Sequence, residues 1–219
     1  DNAISAAEDV INHCGLSLQT TNSTDPALFS ETIFGINKYK MSDNISSYFA
    51  EGPDFTTQYW VSLSNYKRIF EAEGNERDAD FRARRGAGFY VYDGVNRVIT
   101  RKYIKNDNNL IPLVRLPEMY YILCEMSALN DAPQYINTVR NHRGISKANA
   151  YGTFASDQAR TEALSKEYRK EFYAEGQYFY FLKRHGIEDL DYSRDTNTDA
   201  TVRMNNQRYV FPLPDREKE

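Results

Sequence analysis

The chain has 219 residues, a formal net charge of −4 and a pI near 5.5. That length supports one domain with a real core, burying roughly 70% of the surface of the unfolded chain. Basic residues are mixed with acids and cluster only in the short run Arg82 to Arg85, which excludes nucleic acid as an expected partner. No stretch approaches the about 20 apolar residues of a membrane span.

Ala3, Ala7, Val10 and Cys14 form one stripe, so residues 1–14 read as a helix ended near Gly15. The abrupt opening Asp1-Asn2-Ala3 reads as a processed chain or a piece of a longer one. Thr20 to Asp25 is a polar loop, and Thr32, Phe34 and Ile36 alternate weakly as a strand does. Residues 41–65 read as irregular, rich in Ser, Asn, Asp and Gly yet carrying Tyr48, Phe49, Phe55, Tyr59 and the single Trp60. Leu63 to Ala72 reads as a short helix. The stretch EGNERDADFRARRG that follows is strongly charged. Residues 88–104 read as a hairpin turning at Asp93-Gly94, with a polar break at 107–109.

Residues 113–130 read as a helix apolar on two faces, hence sandwiched, with Pro117 tolerated in its first turn. Asn130-Asp131 breaks it, and Pro133 opens the next helix, ended by Gly144. Ser156-Asp157 caps the stretch that organises the chain, Ser165 to Gly186, read as one long helix with Leu164, Tyr168, Phe172, Phe179 and Leu182 on one face. Gly176 in its middle is expected to admit another backbone closely, since Gly there costs about 1 kcal/mol relative to Ala. After Gly186 an extended polar surface segment is expected, closing on Tyr209 to Pro214.

The charges on these helices invite a catalytic reading that fails. Glu171 and Glu175 lie on adjacent turns of one helix. Glycosidase carboxylates must instead flank a sugar bond from opposite sides, about 5–9 Å apart. His13, His142 and His185 are scattered, and no metal-ligand, nucleophile-elbow or phosphate-loop motif occurs. No enzyme, cofactor or metal is expected. Instead Glu118, Glu125, Glu167, Glu171, Glu175 and Arg184 are expected to sit on packed helices, the carboxylates pairing with Arg140 and Arg143 or accepting from loop backbone groups, because buried charges persist only when paired. Cys14 and Cys124 read as buried thiols, with a disulfide left open.

Four stretches in order resemble the SusD/RagB family: LVRLPEMYYILCEMSALN, YINTVRNHRGI, EYRKEFYAEGQYFYFLKRHG and the closing YVFPLPDRE. The matching motif residues are Arg115, Glu118, Glu125, Arg140, Arg143, Glu171, Glu175, Gly176 and Arg184. An IFGI-type strand and a hairpin before Arg115 fit more loosely. Tyr168 stands where the family has Arg, Tyr178 near the usual Arg or Trp, and Phe181 where it has Asp, so the chain resembles an aromatic branch. The resemblance implies a mainly α fold of tetratricopeptide-like helix pairs with long irregular loops and a small β-hairpin. It implies one domain over 1–219, the C-terminal portion of a longer protein, with a loop-rich part at 1–110 and a helical motif part at 111–219. It implies a surface-exposed outer-membrane lipoprotein, lipid-anchored through a segment absent from this chain, that captures glycans or other nutrients for a SusC-type TonB-dependent transporter. Family ligand residues lie on loops and carry no transferable motif. Loop position and side-chain type therefore nominate Tyr48, Phe49, Tyr59 and Trp60 as a stacking platform, with Asn44, Asp54 and Gln58 for hydroxyl groups. The rival reading is a helical-repeat protein-interaction module without a small-molecule ligand.

Overall fold

The apolar spacing along the second half builds the core. In the computed structural model, which describes residues 2–49, 57–71, 80–92, 94–103, 109–193 and 199–211, helix α1 (Asn2–His13) lies against α4 (Leu116–Met126). Ala7, Met119 and Leu123 are buried in that seam, with Ile4, Val10 and Ile11 beside them; Ala3 faces solvent. The other side of α4 turns Leu116, Tyr121 and Cys124 into the main core, against Ile136 and Val139 of α5 (Ala132–His142), Leu164 and Tyr168 of α6 (Asp157–Glu171) and Phe172 just past its end. The sandwiched helix is thus observed, although it is shorter than the sequence predicts. Residues 110–115 instead form strand β5 (Leu110–Arg115), antiparallel to β1 (Thr32–Asn37). In β1, Ile33 packs inward while Phe34 and Ile36 face outward.

Start and stop signals behave as their chemistry dictates. Ser156 Oγ accepts from the Ala159 amide at 3.1 Å, a side-chain cap on the first turn. Gly144 has φ +89°, and the Ile145 amide returns to the Arg140 carbonyl at 3.1 Å, closing α5.

The long final helix is in fact two. The chain leaves α6 at Phe172, passes Ala174 at φ +63° and Gly176 at φ +90°, and restarts as α7 (Gln177–Arg184). Among the described residues nothing lies within 4 Å of a Cβ built on Gly176. Its role is therefore conformational, not the close backbone approach the sequence suggests. Such an approach occurs at Gly88, where a Cβ would sit 2.4 Å from the Arg82 carbonyl oxygen. Gly176→Ala should therefore destabilise by about 1–2 kcal/mol through strain alone, with Gly176→Asn recovering part of the loss. Urea unfolding of the three proteins measures it.

The segment read as irregular at 41–65 contains helix α2 (Met41–Phe49). It is followed by β2 (Val61–Ser62) and α3 (Leu63–Ile69), which Ser62 caps by accepting from the Asn65 amide. β2 joins the predicted hairpin, β3 (Phe89–Tyr92) and β4 (Arg97–Thr100), in a three-stranded sheet ordered β2-β4-β3. Tyr92 pairs with Arg97, so four residues connect the strands, not a two-residue turn. The charged stretch is not all solvated: Asp80, Phe81, Arg82 and Ala83 are buried. Beyond Gly186 the chain forms a further hairpin, β6 (Asp189–Ser193) with β7 (Asp199–Arg203), then a turn that buries Tyr209. Asp54, Phe55, Asp93, most of the polar break and residues 212–219 lie outside the described residues. Both cysteines are free thiols, Cys124 buried and Cys14 half-buried. Among the described residues no helix is long and apolar enough to cross a membrane.

Candidate functional site

Beneath the site lies a buried ionic cluster. Glu171 on α6 is its hub. Arg143 donates to both Glu171 carboxylate oxygens through Nε and a terminal nitrogen, at 3.0 and 2.9 Å. Arg115 donates to one of them at 2.9 Å and Arg82 to the other at 3.0 Å. Glu31 accepts from Arg143 at 2.7 and 2.9 Å, Glu167 from Arg140 at 2.6 Å, and Asp80 holds Arg82 in a fork. Glu175 receives Arg115 Nε at 2.9 Å and, on its other oxygen, Lys102. Burial alone would raise the Glu171 carboxyl, yet Arg143, Arg115 and Arg82 hold it well below the usual range. The expected pairing of motif charges is observed, with Arg115 as well as Arg140 and Arg143 as donors. Glu125 pairs instead with Arg184 near the surface. Among the described residues Glu118 has no direct bridge, and burial raises its carboxyl. The aromatic departures from the family pattern are accommodated together: Tyr168 and Phe181 stack at 4.5 Å inside the core.

This cluster fixes the loop between α6 and α7 from below. Glu175 is tied to Lys102 and Arg115, the Glu171 carbonyl accepts from both of those cations at 2.8 Å, and Tyr103 Oη donates to the Ala174 carbonyl at 2.9 Å. From above, the same loop is the floor of a cleft of about 390 Å³, with Tyr173, Ala174 and Gly176 on one side and Phe49, Tyr59 and Trp60 on the other.

The upper wall is assembled by local geometry. The Tyr59 amide donates to the Tyr48 carbonyl at 2.8 Å, pinning the incoming segment to the end of α2. Tyr48 and Tyr59 then stack at 5.4 Å with 25° between planes, and Phe49 contacts Tyr59 at 5.9 Å and Tyr103 at 4.9 Å. Tyr59 is 65% exposed and Tyr48 41%, while Trp60 is half-buried with the Arg97 guanidinium 4.2 Å from its ring centre. Four of the nominated residues are therefore brought together. Two are not: Asn44 faces solvent with its amide on the Lys40 carbonyl at 2.8 Å, and Gln58 is 8% exposed. The sequence reading missed the floor, Thr100, and Arg97 above Trp60. The one signal available for the floor was Gly176 itself.

The lining is uncharged among the described residues. Tyr173, packed edge-on to Phe89 at 5.4 Å, has its phenol pushed up to about 12 by burial and stays neutral across the physiological range.

The SusD family model matches residues 21–218. The chain belongs to the SusD family. Three solved SusD-type structures share its fold. A SusD-like carbohydrate binding protein from Bacteroides vulgatus superposes with a TM-score of 0.66 at 19% identity, over 98% of this chain and 53% of its own. A SusD superfamily protein from Bacteroides thetaiotaomicron gives 0.61 at 16%, over 83% and 44%. Another from Bacteroides fragilis gives 0.57 at 21%, over 81% and 46%. The SusD-family chain described here thus spans about half the length of these relatives. No curated protein matches it. The mainly α architecture with small antiparallel sheets is that of the family.

Proposed function

We propose that this chain is the single-domain C-terminal portion of a lipid-anchored, surface-exposed outer-membrane protein that binds a glycan or other nutrient. In this reading it presents the ligand to a SusC-type TonB-dependent transporter and performs no chemistry on it. Family membership and the carbohydrate-binding description of the Bacteroides vulgatus relative support the reading. The observation that carries it to particular residues is the convergence of Phe49, Tyr59 and Trp60 on one uncharged cleft. Sugars offer flat C–H faces that pack on aromatic rings, and Tyr173 and Thr100 add neutral polar residues to the lining. On the hub helix the Glu171 carboxylate is held in its charged form by three arginines, which argues against acid–base work there.

Titrating neutral oligosaccharides while following Trp60 fluorescence should give saturable quenching by one glycan class. Affinity should fall about tenfold or more in Trp60→Ala. Because the lining is uncharged, it should change little between low and high salt. Equal affinity in Trp60→Ala removes the cleft as the site.

One observation favours the protein-interaction reading. A groove of about 1580 Å³ runs between α3, α6, α7 and residues 186–189, with charged side chains such as Arg169 and Lys166 on its walls. Binding of a protein ligand there would be weakened by Arg169→Glu and by added salt, the opposite of the salt response expected at the cleft.

A further inference from the structure

The cleft depends on a flat ring being held in one place, and Trp60 has help. Ser62 pairs with Arg97 across β2 and β4. Trp60 lies two residues before Ser62, just outside β2, and at the two-residue period of an extended chain that spacing sets it as the diagonal neighbour of Arg97. The span of such a pair is about 7–8 Å, within reach of two long side chains. The guanidinium covers it, ending 4.2 Å from the indole centre, a stacking distance for a planar cation on an aromatic face. The backbone beneath is fixed as well. Asn96, at φ +54°, accepts the Leu63 amide through its carbonyl at 3.3 Å and its side chain at 3.2 Å, and Arg97 is paired on both sides, with Ser62 and Tyr92.

We propose that Arg97 is a positioning residue for the cleft: it holds the Trp60 indole in its ligand-ready orientation without itself touching the sugar. The proposal rests on the cleft being the glycan site. An indole already fixed in place loses less side-chain freedom when a ligand arrives, and that saving appears as affinity. Arg97 supplies the planar contact that a lysine ammonium only partly reproduces.

The test uses the fact that Trp60 is the chain's single tryptophan, so its emission reports one ring. Wild type, Arg97→Met, Arg97→Lys and Trp60→Ala are compared by far-UV circular dichroism, acrylamide quenching, emission anisotropy and calorimetric titration. The titrants are neutral glucan, mannan, xylan and galactan hexasaccharides. The expected result is an unchanged circular dichroism spectrum, with Trp60 more quenchable and less anisotropic in Arg97→Met. Affinity falls about three- to tenfold, and Arg97→Lys lies between. Unchanged quenching and anisotropy in Arg97→Met overturns the proposal, as does altered fluorescence with wild-type affinity. A different pattern marks failure of the glycan reading. If wild type binds no hexasaccharide, or Trp60→Ala binds as well as wild type, the cleft is not the site and a gain in affinity from Arg97 is overturned with it. The fluorescence arm then still decides whether Arg97 orders the ring. Should Arg97→Met lose its circular dichroism signal, Arg97→Lys carries the comparison: wild-type quenching and affinity there overturn the need for the planar contact.

Discussion

Glu171→Ala should cost about 3–5 kcal/mol, a large share of the roughly 5–15 kcal/mol that holds a folded domain together. The side chain is 0% exposed, and its two oxygens receive Arg82, Arg115 and Arg143. Removing the carboxylate leaves three guanidinium groups facing one another where water does not reach. That penalty, not the net value of the ion pairs, sets the size of the effect. Glu171→Gln keeps the shape without the charge and should recover only part of the loss. A control at the surface gives the scale: Arg203 and Asp189 pair at 3.2 Å but are 79% and 64% exposed, so Arg203→Ala should change stability by no more than about 0.5 kcal/mol. Urea unfolding curves of the three variants decide the matter. A Glu171→Ala midpoint near that of wild type would mean the cluster does not hold the fold.

The same cluster sets how the protein meets acid. For Glu167, burial pushes the carboxyl up while Lys170, Arg82 and Arg140 pull it further down, and the net result lies well below the usual range. Glu171 behaves likewise, and at Glu71 burial is again outweighed by Lys170 and Lys166. A carboxyl whose folded value is depressed contributes stability that is fully present above its unfolded value of about 4.3 and is lost as pH falls toward the folded value. Unfolding free energy should therefore hold down to about pH 5 and then drop steeply below about pH 4 as the unfolded chain takes up protons that the cluster refuses. Glu118 has the opposite sign. Burial raises it, Arg115 and Arg184 pull it partly back, and Glu175 adds to the rise. Its ionisation thus costs stability as pH increases through its folded value, so Glu118→Gln should stabilise the protein at neutral pH and leave the acid limb in place. Stability curves collected across pH on wild type and Glu118→Gln check both signs.

Much of the helical half was legible because its apolar residues repeat at helical spacing and its ends carry Ser156, Pro117, Pro133 and Gly144. The break at Gly176 was hidden by the same signal. Phe179 and Leu182 continue the period of Tyr168 and Phe172, and periodicity cannot register a left-handed residue between two helices in phase. Helix α2 was hidden by composition, since Ser, Asn and Asp favour caps and turns and tertiary contacts override that preference. The charge cluster was half visible. Glutamates and arginines on helices could be matched, but Glu31, Asp80, Arg82 and Lys102 come from short turns and strand ends. Only the buried Phe81 and Ala83 flanking Arg82 hinted that this charged stretch turns inward. At the cleft, aromatic side chains in a stretch read as irregular were enough to nominate Tyr48, Phe49, Tyr59 and Trp60, although the first two end helix α2. Their partners on the floor arrive from a distant part of the chain, which a linear pattern does not connect.

The cluster reaches back to the first turns of the chain, and this fixes where the domain can be shortened. Arg143 donates to the Gln19 carbonyl at 2.8 Å, Gln19 in turn donates its amide to Glu31, and Glu31 answers both Arg143 and Arg115. A fragment trimmed to the span matched by the family model, starting at residue 21, discards α1 and strips the cover from Met119 and Leu123. A cut eleven residues further on, after Glu31, leaves Arg115 and Arg143 short of a counter-charge. The boundary drawn by sequence signature and the boundary drawn by the balance of forces are different lines, and a soluble, folded recombinant piece requires the second.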